Sequence, residues 1–393
     1  MLALVSPGQG AQSPGMLEPW LALPGVAARL QWAAAVTGID LIRLGTTGTA
    51  EEIRDTAVAQ PLLVAFALAV AGELGLDAGG DLPDVLAGHS VGEYAVAALS
   101  GALTGETALV LVRERGRLMA QASSSAATGM SAVLGGDADD VTEALDRRGL
   151  VAANVNTAGQ VVAAGPLDAL ADLAADPPAG ARVRALDVAG AFHTSYMSSA
   201  RDGLAATAEG VPRTDPRVTL LGNSDGGVIS HGDEVVTRLV HQVASPVRWD
   251  LCMQTMRDIG VTALIELPPA GTLVALAKRA MPGVETLAIK SPTDLDTARA
   301  LLQRHNHVRT EPAPSWRIAV APMAGTFRPR EVAPGAEFAP GGVVGTVVSN
   351  RDEATVAAAH GGVLIEWLAQ DGDPVSPGQP LARLHPMPEM VGA

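Results

Sequence analysis

The stretch AGHSVGEY (87–94) places Ser90 between two glycines, at the end of the apolar run DVLA. That run predicts a strand over 84–89, and VGEYAVAALSGAL predicts a helix over 91–103. A serine at such a junction needs flanking glycines, because larger neighbours would clash in the tight turn. The turn presents the hydroxyl at the sheet edge, where the N–H of Val91 can stabilise an oxyanion. A chance match is the alternative in a chain with 43 glycines, but the flanking elements favour a nucleophile.

Strands alternate with helices over much of the chain. The other predicted elements are a strand at 2–7, helices at 61–74 and 107–123, a strand at 262–269 and a helix at 272–281. This alternation predicts an α/β fold with a hydrolase-like core, in which a largely parallel sheet carries helices on both faces.

The segment 130–188 has a different pattern. Its apolar runs read strand, helix, strand, strand, helix, strand, the order of a ferredoxin-like unit. We therefore expect a core formed by 1–128 and 191–303, with a ferredoxin-like subdomain inserted at 129–190. A cleft between the two is a natural place for an active site.

Charge and cysteine content exclude several classes of function. A net charge of −15 argues against nonspecific binding to nucleic acid or to an anionic membrane surface. The single cysteine, Cys252, excludes an internal disulfide framework and fits a reducing cytoplasm. The most apolar run, 62–76, contains Glu73 and is interpreted as a buried helix too short to span a bilayer. Since no basic region precedes the first apolar run, we expect a soluble, cytoplasmic protein without a signal peptide.

A nucleophilic serine needs a base, and the chain has eight histidines. His193 follows the point where the insert returns to the core, so it is expected at the mouth of the cleft. His89 adjoins Ser90, but the elbow is expected to point its side chain elsewhere. The others have less suitable settings, either a presumed linker, the C-terminal region or no distinctive context: His231, His241, His305, His307, His360 and His385.

The glycine-rich loop PGQGAQSPGM (7–16) follows the first predicted strand. Its spacing fits neither the dinucleotide fingerprint nor the lysine-containing phosphate loop, so nucleotide binding is not expected. A backbone N–H of this loop, aimed at the serine, would instead complete an oxyanion hole.

Six motifs in order resemble the malonyl-CoA:acyl carrier protein transacylase family, which includes the acyltransferase domains of polyketide synthases. The resemblance covers roughly residues 1–300 and is carried by PGQGAQ (7–12), GHSVGEY (88–94), ERGRLM (114–119), NVNTAGQVVAAG (154–165), GAFH (190–193) and VHQVASPVRW (240–249).

The resemblance implies a role for each matching residue. Ser90 matches the family's nucleophile and His193 its general base. Gln9 and Val91 match the positions whose backbone N–H groups form the oxyanion hole. Gln242 matches the position whose backbone carbonyl orients the histidine, so that no acidic third member is required.

The same resemblance implies the substrate. Arg115 matches the arginine that holds the free carboxylate of the acyl group, and a buried arginine left unpaired would penalise acetyl or fatty acyl groups. Phe192 before the histidine and the small Val91 after the serine accompany malonyl selection in the family. Asn154 and Asn156 resemble a pair near the pocket.

The expected reaction is a ping-pong transfer of a malonyl group from malonyl-CoA, through Ser90, to the phosphopantetheine thiol of an acyl carrier protein. No metal or cofactor is expected. Because acyl carrier proteins are typically acidic, docking requires a local basic patch, for which the candidates are Arg147, Arg148, Arg182, Arg184, Lys278 and Arg279.

The C-terminal part is predicted to be a polar linker at 304–316 and a small β domain at 317–393. Within it, 332–347 repeats as 369–384, which predicts two similar β halves. The repeat and the motif APMAGT (321–326) resemble a biotinyl/lipoyl carrier domain. Arg351 stands where such domains carry the modified lysine, so we expect an unmodified domain that serves as a scaffold or docks a partner protein.

Three alternatives remain open. A serine thioesterase or other serine hydrolase would use the same elbow, but it has no clear use for Arg115. A non-catalytic interaction protein is disfavoured by the intact set of candidate catalytic residues. A malonyl-transfer subunit of malonate decarboxylase would share the whole site.

Overall fold

The computed structural model describes residues 1–76, 82–306, 317–339, 341–358 and 362–385. The chain forms two compact units, Met1–His307 and Val308–Ala393. The strands of the first unit are β1 (Leu2–Ser6), β2 (Val85–Gly88), β3 (Thr128–Gly135), β4 (Val151–Thr157), β5 (Gln160–Pro166), β6 (Ala181–Ala185), β7 (Thr219–Leu221), β8 (Val228–Ile229), β9 (Val247–Arg248), β10 (Ala263–Glu266) and β11 (Glu285–Ala288).

Helices alternate with these strands. They are α1 (Pro24–Thr37), α2 (Leu41–Thr47), α3 (Ala50–Arg54), α4 (Thr56–Glu73), α5 (Gly92–Leu99), α6 (Gly105–Ser123), α7 (Ala138–Asp146), α8 (Leu167–Ala175), α9 (Ser198–Ala208), α10 (Gly232–His241), α11 (Trp249–Asp258), α12 (Thr272–Ala280) and α13 (Leu295–Asn306).

A six-stranded sheet forms the core of the first unit, in the order β11-β10-β1-β2-β7-β8. Its pairings are parallel except for the edge pair β7–β8. Every residue of β1 is buried, which is typical of a strand covered on both faces. The predicted mixed α/β fold with a parallel sheet is confirmed.

The long apolar helix α4 begins earlier than predicted, at Thr56 rather than at residue 61. The Asp55 carboxylate accepts a hydrogen bond from the Ala57 N–H (2.9 Å) and caps the helix, and Pro61 lies inside it. At 18 residues, α4 is long and apolar enough to cross a membrane, so the expectation that this run is too short was wrong. However, 78% of α4 is buried within the structure, as predicted for a core helix.

The inserted segment has the predicted order β3-α7-β4-β5-α8-β6. Its strands form an antiparallel sheet in the order β6-β3-β5-β4, a ferredoxin-like arrangement. The two-residue strand β9, which follows α10 in the core, adds parallel to β4 as a fifth strand. Sequence analysis missed β9, which joins the subdomain to the core close to Gln242.

The second unit contains β12 (Arg317–Val320), β13 (Gly325–Pro329), β14 (Glu337–Phe338), β15 (Gly342–Val348), β16 (Glu353–Ala358), β17 (Gly362–Trp367), β18 (Pro374–Val375) and β19 (Pro380–His385). They form two four-stranded antiparallel sheets, β12-β19-β17-β14 and β16-β15-β13-β18. Residues from both sheets pack into one apolar cluster.

The internal repeat reappears in the backbone of this unit. The matched pair Gly335 and Gly372 have φ of 96° and 86°, and the pair Gly341 and Gly378 have φ of 78° and 79°. These left-handed conformations favour glycine at all four positions. Arg351 lies in the turn of the β15–β16 hairpin, the position expected from the resemblance to carrier domains, and its side chain is exposed.

The predicted start of the linker was wrong, because α13 continues to Asn306. His305 therefore lies on a helix. His307, His360 and residues 307–316 lie outside the described residues.

Candidate active site

Ser90 lies in a tight elbow between β2 and α5, with φ of 51°. A Cβ on Gly88 would lie 2.1 Å from the carbonyl carbon of Gly92, and one on Gly92 would lie 2.3 Å from the Ser6 carbonyl oxygen. Both flanking positions therefore exclude any side chain, which is the physical reason for the GxSxG pattern. The left-handed backbone of Ser90 is a local strain held by the surrounding structure.

Ser90, His193 and Gln242 form one hydrogen-bonded line. The Ser90 Oγ lies 2.8 Å from the His193 Nε2, and the His193 Nδ1 lies 2.8 Å from the Gln242 carbonyl oxygen. A carbonyl only accepts, so Nδ1 carries the proton and Nε2 is free to accept one from the serine. Burial and the nearby Arg115 cation lower the pKa of His193 to about 3, which keeps the imidazole neutral.

The backbone around Ser90 limits which N–H groups can meet an oxyanion. The Ser90 N–H donates to the Asn223 Oδ1 at 2.7 Å, so it is already occupied. Among the described residues, the backbone N–H groups of Gln9 and Val91 donate to no protein atom. Gln9 also lines the cavity in front of Ser90.

Arg115 projects from α6 and is only 1% exposed. Its NH1 donates to the Gln60 Oε1 (2.6 Å), and its NH2 donates to the Gln242 Oε1 (2.8 Å) and the Ser90 Oγ (3.3 Å). The guanidinium carbon lies 5.7 Å from the Tyr94 ring centroid, a cation–π contact. The Arg115 Nε is buried without an acceptor. A planar fork with an unused donor is suited to a carboxylate beside the serine hydroxyl.

A cavity of about 240 Å³ lies between the core and the inserted subdomain. It brings together seven of the predicted site residues, namely Gln9, Ser90, Arg115, Asn154, Asn156, Phe192 and His193. Apolar side chains of Met119, Met130 and Val188 line the same space.

His89 was expected to point away from this region, but its ring lines the cavity. Its Nε2 lies 2.9 Å from the Asn156 Oδ1, which leaves His193 as the imidazole in contact with the serine. Burial lowers the pKa of His89, so this ring is also held neutral.

Sequence reasoning missed three buried polar residues of the site, Gln60, Glu93 and Asn223. Asn223 clamps the elbow, since its Nδ2 donates to the Gly88 carbonyl (2.7 Å) while its Oδ1 accepts from Ser90. Glu93 is 5% exposed, and burial raises its pKa to about 7. The only sequence signal for Glu93 was its place in the motif GHSVGEY (88–94). Gln60 borders an apolar run and Asn223 stands in a polar one, and neither belongs to a motif.

The candidate docking residues are not equally available. Arg147 pairs with Glu143 (3.2 Å), and Arg148 pairs with Asp176 (3.1 Å). Within the described ranges, the other candidates form no ion pair: Arg182, Arg184, Lys278 and Arg279. No cluster of three or more His, Cys, Asp or Glu side chains that could hold a metal ion occurs in the same ranges.

Comparison with known proteins agrees with this geometry. A sequence model of the acyl transferase domain family matches residues 3–306. The malonyl CoA-acyl carrier protein transacylase of Mycobacterium tuberculosis is 52% identical over 299 residues, which are 75% of this chain and 98% of the relative.

Solved structures give the same result. The crystal structure of MCAT from Mycobacterium tuberculosis matches with a TM-score of 0.73 and 52% identity, covering 76% of this chain and 99% of the matched chain. A type II PKS acyl-carrier protein in complex with its malonyl-transacylase matches with a TM-score of 0.72 and 32% identity, over 76% and 99% of the two chains. The resemblance carried by the six motifs is thus confirmed, and the chain belongs to the acyl transferase domain family, in the group of the malonyl CoA-acyl carrier protein transacylases.

Proposed function

We propose that the first unit transfers a malonyl group from malonyl-CoA to the phosphopantetheine thiol of an acyl carrier protein. The choice of malonyl as the acyl group rests on Arg115, a buried cation. Its NH2 lies 3.3 Å from the Ser90 Oγ, and its Nε has no acceptor. An acyl group with a terminal carboxylate would satisfy that donor while its thioester carbon lies at the serine. An acetyl or fatty acyl group would leave the guanidinium unpaired, at a cost in transition-state binding.

In the first half-reaction, the Ser90 Oγ attacks the thioester carbonyl while the His193 Nε2 takes the hydroxyl proton. The Gln242 carbonyl holds the protonated Nδ1 and stabilises the imidazolium that forms. The N–H groups of Gln9 and Val91 would bind the oxyanion, since the Ser90 N–H already donates to Asn223. Collapse of the intermediate breaks the carbon–sulfur bond, and His193 returns the proton to the leaving coenzyme A thiolate.

In the second half-reaction, His193 takes the proton of the carrier's thiol and the sulfur attacks the Ser90 ester. The same oxyanion donors serve again, and the proton passes back to the Ser90 Oγ. Water could attack the same Ser90 ester and release free malonate. The acceptor of the malonyl group therefore distinguishes a transferase from a hydrolase.

Phe192 supports malonyl over an α-methylated donor. The residue is 5% exposed, precedes His193 and lines the cavity. As a lining residue beside His193, its ring would compete with an α-methyl group for space in this cavity. Asn154 and Asn156, both 7% exposed, would shape the same pocket from the inserted subdomain.

The second unit is proposed to be a biotinyl/lipoyl-like domain that carries no prosthetic group. The support is the sandwich of two four-stranded sheets, the repeated glycine turns and Arg351 in the hairpin turn where a lysine would stand. A guanidinium cannot form the amide that attachment of biotin or lipoate requires. We propose that this unit docks a partner protein, and that the enzyme works in the cytoplasm without a metal or cofactor.

A donor and acceptor assay tests the proposed function. Incubation with malonyl-CoA should add one malonyl group at Ser90, detected by mass spectrometry of the intact chain and its peptides. Addition of holo-acyl carrier protein should discharge that adduct onto the carrier. Free malonate as the main product in the presence of the carrier would show a hydrolase instead. The mass of the untreated chain should equal that of the unmodified sequence.

A further inference from the structure

A carboxylate is buried directly behind the nucleophile. Glu93 lies in the first turn of α5, three residues beyond Ser90, and is 5% exposed. It is absent from the lining of the active-site cavity, so the reaction described above does not use it. A buried carboxylate is costly unless its charge serves another group, so the partners of Glu93 are informative.

Both oxygens of Glu93 accept hydrogen bonds from residues that hold the site. The Oε1 accepts from the Asn223 N–H at 2.7 Å, and the Oε2 accepts from the Gln242 Nε2. That Nε2 also donates to the Ser90 carbonyl at 3.0 Å. At the other end of the same amide, the Gln242 Oε1 accepts from the Arg115 NH2.

These contacts fix the direction of the Gln242 amide. An ionised carboxylate only accepts, so the NH2 end of Gln242 must face Glu93 and its oxygen must face Arg115. A reversed amide would set its NH2 group against the guanidinium, donor against donor. Glu93 thus acts together with the Ser90 carbonyl, which accepts from the same NH2 group, to keep the Gln242 oxygen facing Arg115.

Glu93 also compensates the charge of Arg115 from a distance. Among the described residues, no carboxylate lies within 4 Å of the Arg115 guanidinium. A carboxylate in direct contact would occupy the donors that a substrate carboxylate needs. One amide away, Glu93 supplies the opposite charge, and the buried Arg115 Nε keeps its donor unused by any protein acceptor.

We propose that Glu93 is a positioning residue that acts through Gln242 as the remote counter-ion of Arg115, and that it thereby sets the preference for carboxylated acyl donors. The inference rests on the proposed function and adds to it the residue that compensates the charge of Arg115 and orients its guanidinium through Gln242. It predicts that neutralising Glu93, by protonation or substitution, slows acylation of Ser90 by malonyl-CoA, whereas acylation by acetyl-CoA continues.

The other charged or titratable groups near Glu93 lie on α5, α10 and α11, and they include His241 of α10, which lines a cavity together with Glu93 and Arg238. Tyr94 on α5 and Cys252 on α11 stay neutral, because burial raises the pKa of each. Arg238 on α10 contributes a weaker attraction, and it is paired with Asp225 (2.6 Å) and Glu234 (2.8 Å).

The pH range of the effect follows from these groups. Burial raises the pKa of Glu93 to about 7, whereas His193, with its pKa lowered to about 3, stays neutral across pH 6–8. A substrate carboxyl with an ordinary pKa of about 4 stays ionised over the same range.

The test compares single-turnover loading of Ser90 by malonyl-CoA and by acetyl-CoA in the full-length wild-type chain and in Glu93→Gln. The variant should lower the malonyl-to-acetyl rate ratio by about tenfold, as expected for a lost hydrogen bond to a charged group, with acetyl loading within about threefold of wild type. The control is Glu73→Gln, which removes a partly buried carboxylate of α4 that lies outside the lining of the active-site cavity and pairs with Arg299 (3.9 Å). The control should keep the wild-type ratio.

A pH series on the wild type gives a second measurement that does not depend on folding of a variant. The wild-type ratio should fall as the pH drops from 8 to 6 and Glu93 takes up a proton, while the Glu93→Gln ratio should stay flat. An equal fall of both loading rates in the variant, or a wild-type ratio independent of pH, would overturn the inference. Absence of any malonyl adduct on the wild type would instead overturn the proposed function itself.

Discussion

The two units of this chain bury very different interiors. Every polar or charged residue that is buried among the described residues lies in the first unit, including Glu93, Arg115, His193 and Glu266. The described core of the second unit is apolar, with Phe327 and Val347 fully buried. Buried charges and strained backbone cost stability, so they accumulate where chemistry needs them. The contrast indicates that the first unit contains destabilising buried charges that its reaction requires, whereas the described core of the second unit is stabilised by apolar packing.

The largest effect in this comparison should come from Ser90→Ala. The substitution removes the only oxygen of the site that forms the ester, so the malonyl adduct should disappear and transfer should fall by at least about 10³-fold. Intact-mass spectrometry after exposure to malonyl-CoA measures the adduct. Ser124→Ala, an exposed serine at the end of α6, is the control and should load normally. A persistent adduct at an unchanged rate in Ser90→Ala would remove the elbow from the mechanism.

A substitution in the core of the second unit should lower its stability without affecting the reaction at Ser90. Phe327 is fully buried and its ring centroid lies 6.0 Å from that of Trp367. Phe327→Ala should destabilise this unit by about 3–5 kcal/mol through lost burial and a cavity. Hydrogen exchange of peptides from 317–385 should accelerate, while the rate of Ser90 loading stays within about twofold. A large fall in loading would show that the active site depends on the packing of the second unit.

Much of this contrast was predictable from sequence. The elbow at Ser90 could be predicted because steric exclusion at Gly88 and Gly92 leaves a local signature. Arg115 and His193 could be placed only through the resemblance, since an arginine on a helix or a histidine in a loop has no signature of its own.

Contacts between residues far apart in the sequence could not be predicted. Gln60 contacts Arg115 across 55 residues of chain, Asn223 contacts Ser90 across 133, and Glu93 contacts Gln242 across 149. Nothing local in the sequence marks such a buried polar side chain as hydrogen-bonded. The prediction placed the start of α4 at residue 61, where the continuous apolar run begins, whereas the helix starts at Thr56 and its cap is Asp55.

Arg115→Ala should produce the next largest effect. Loss of the charged fork should lower malonyl loading by about 10²-fold, in the range for hydrogen bonds to a charged group, with a smaller loss for acetyl-CoA. Loading rates with both donors measure the discrimination. Arg113→Ala, an exposed arginine on the same helix, is the matched control and should leave both rates unchanged. Equal losses for the two donors in Arg115→Ala would show that this residue does not read the carboxylate.

The most gradual effect concerns how the buried charges of the first unit make its stability depend on pH. Burial raises the pKa of Glu93 from 4.5 to about 7, so the folded state holds this proton more tightly and its contribution to stability falls as the pH rises through that window. The pKa of His193 is lowered from 6.5 to about 3, so its contribution rises as the pH rises through 3 to 6.5. The two slopes oppose each other between about pH 4.5 and 6.5.

Glu93→Gln removes one of these slopes. The stability of the variant relative to wild type should increase as the pH rises from about 4.5 to 7, by at most about 1.4 kcal/mol per pH unit, and then level off. Denaturant-dependent hydrogen exchange of peptides from β1 and β2 measures the free energy of unfolding of the first unit alone, and peptides from β13 and β15 should show no such difference. A constant difference across this range would mean that Glu93 is already ionised at pH 5. In that case the hydrogen bonds from Asn223 and Gln242 would stabilise the ionised Glu93 carboxylate, and the folded state would not need to protonate it.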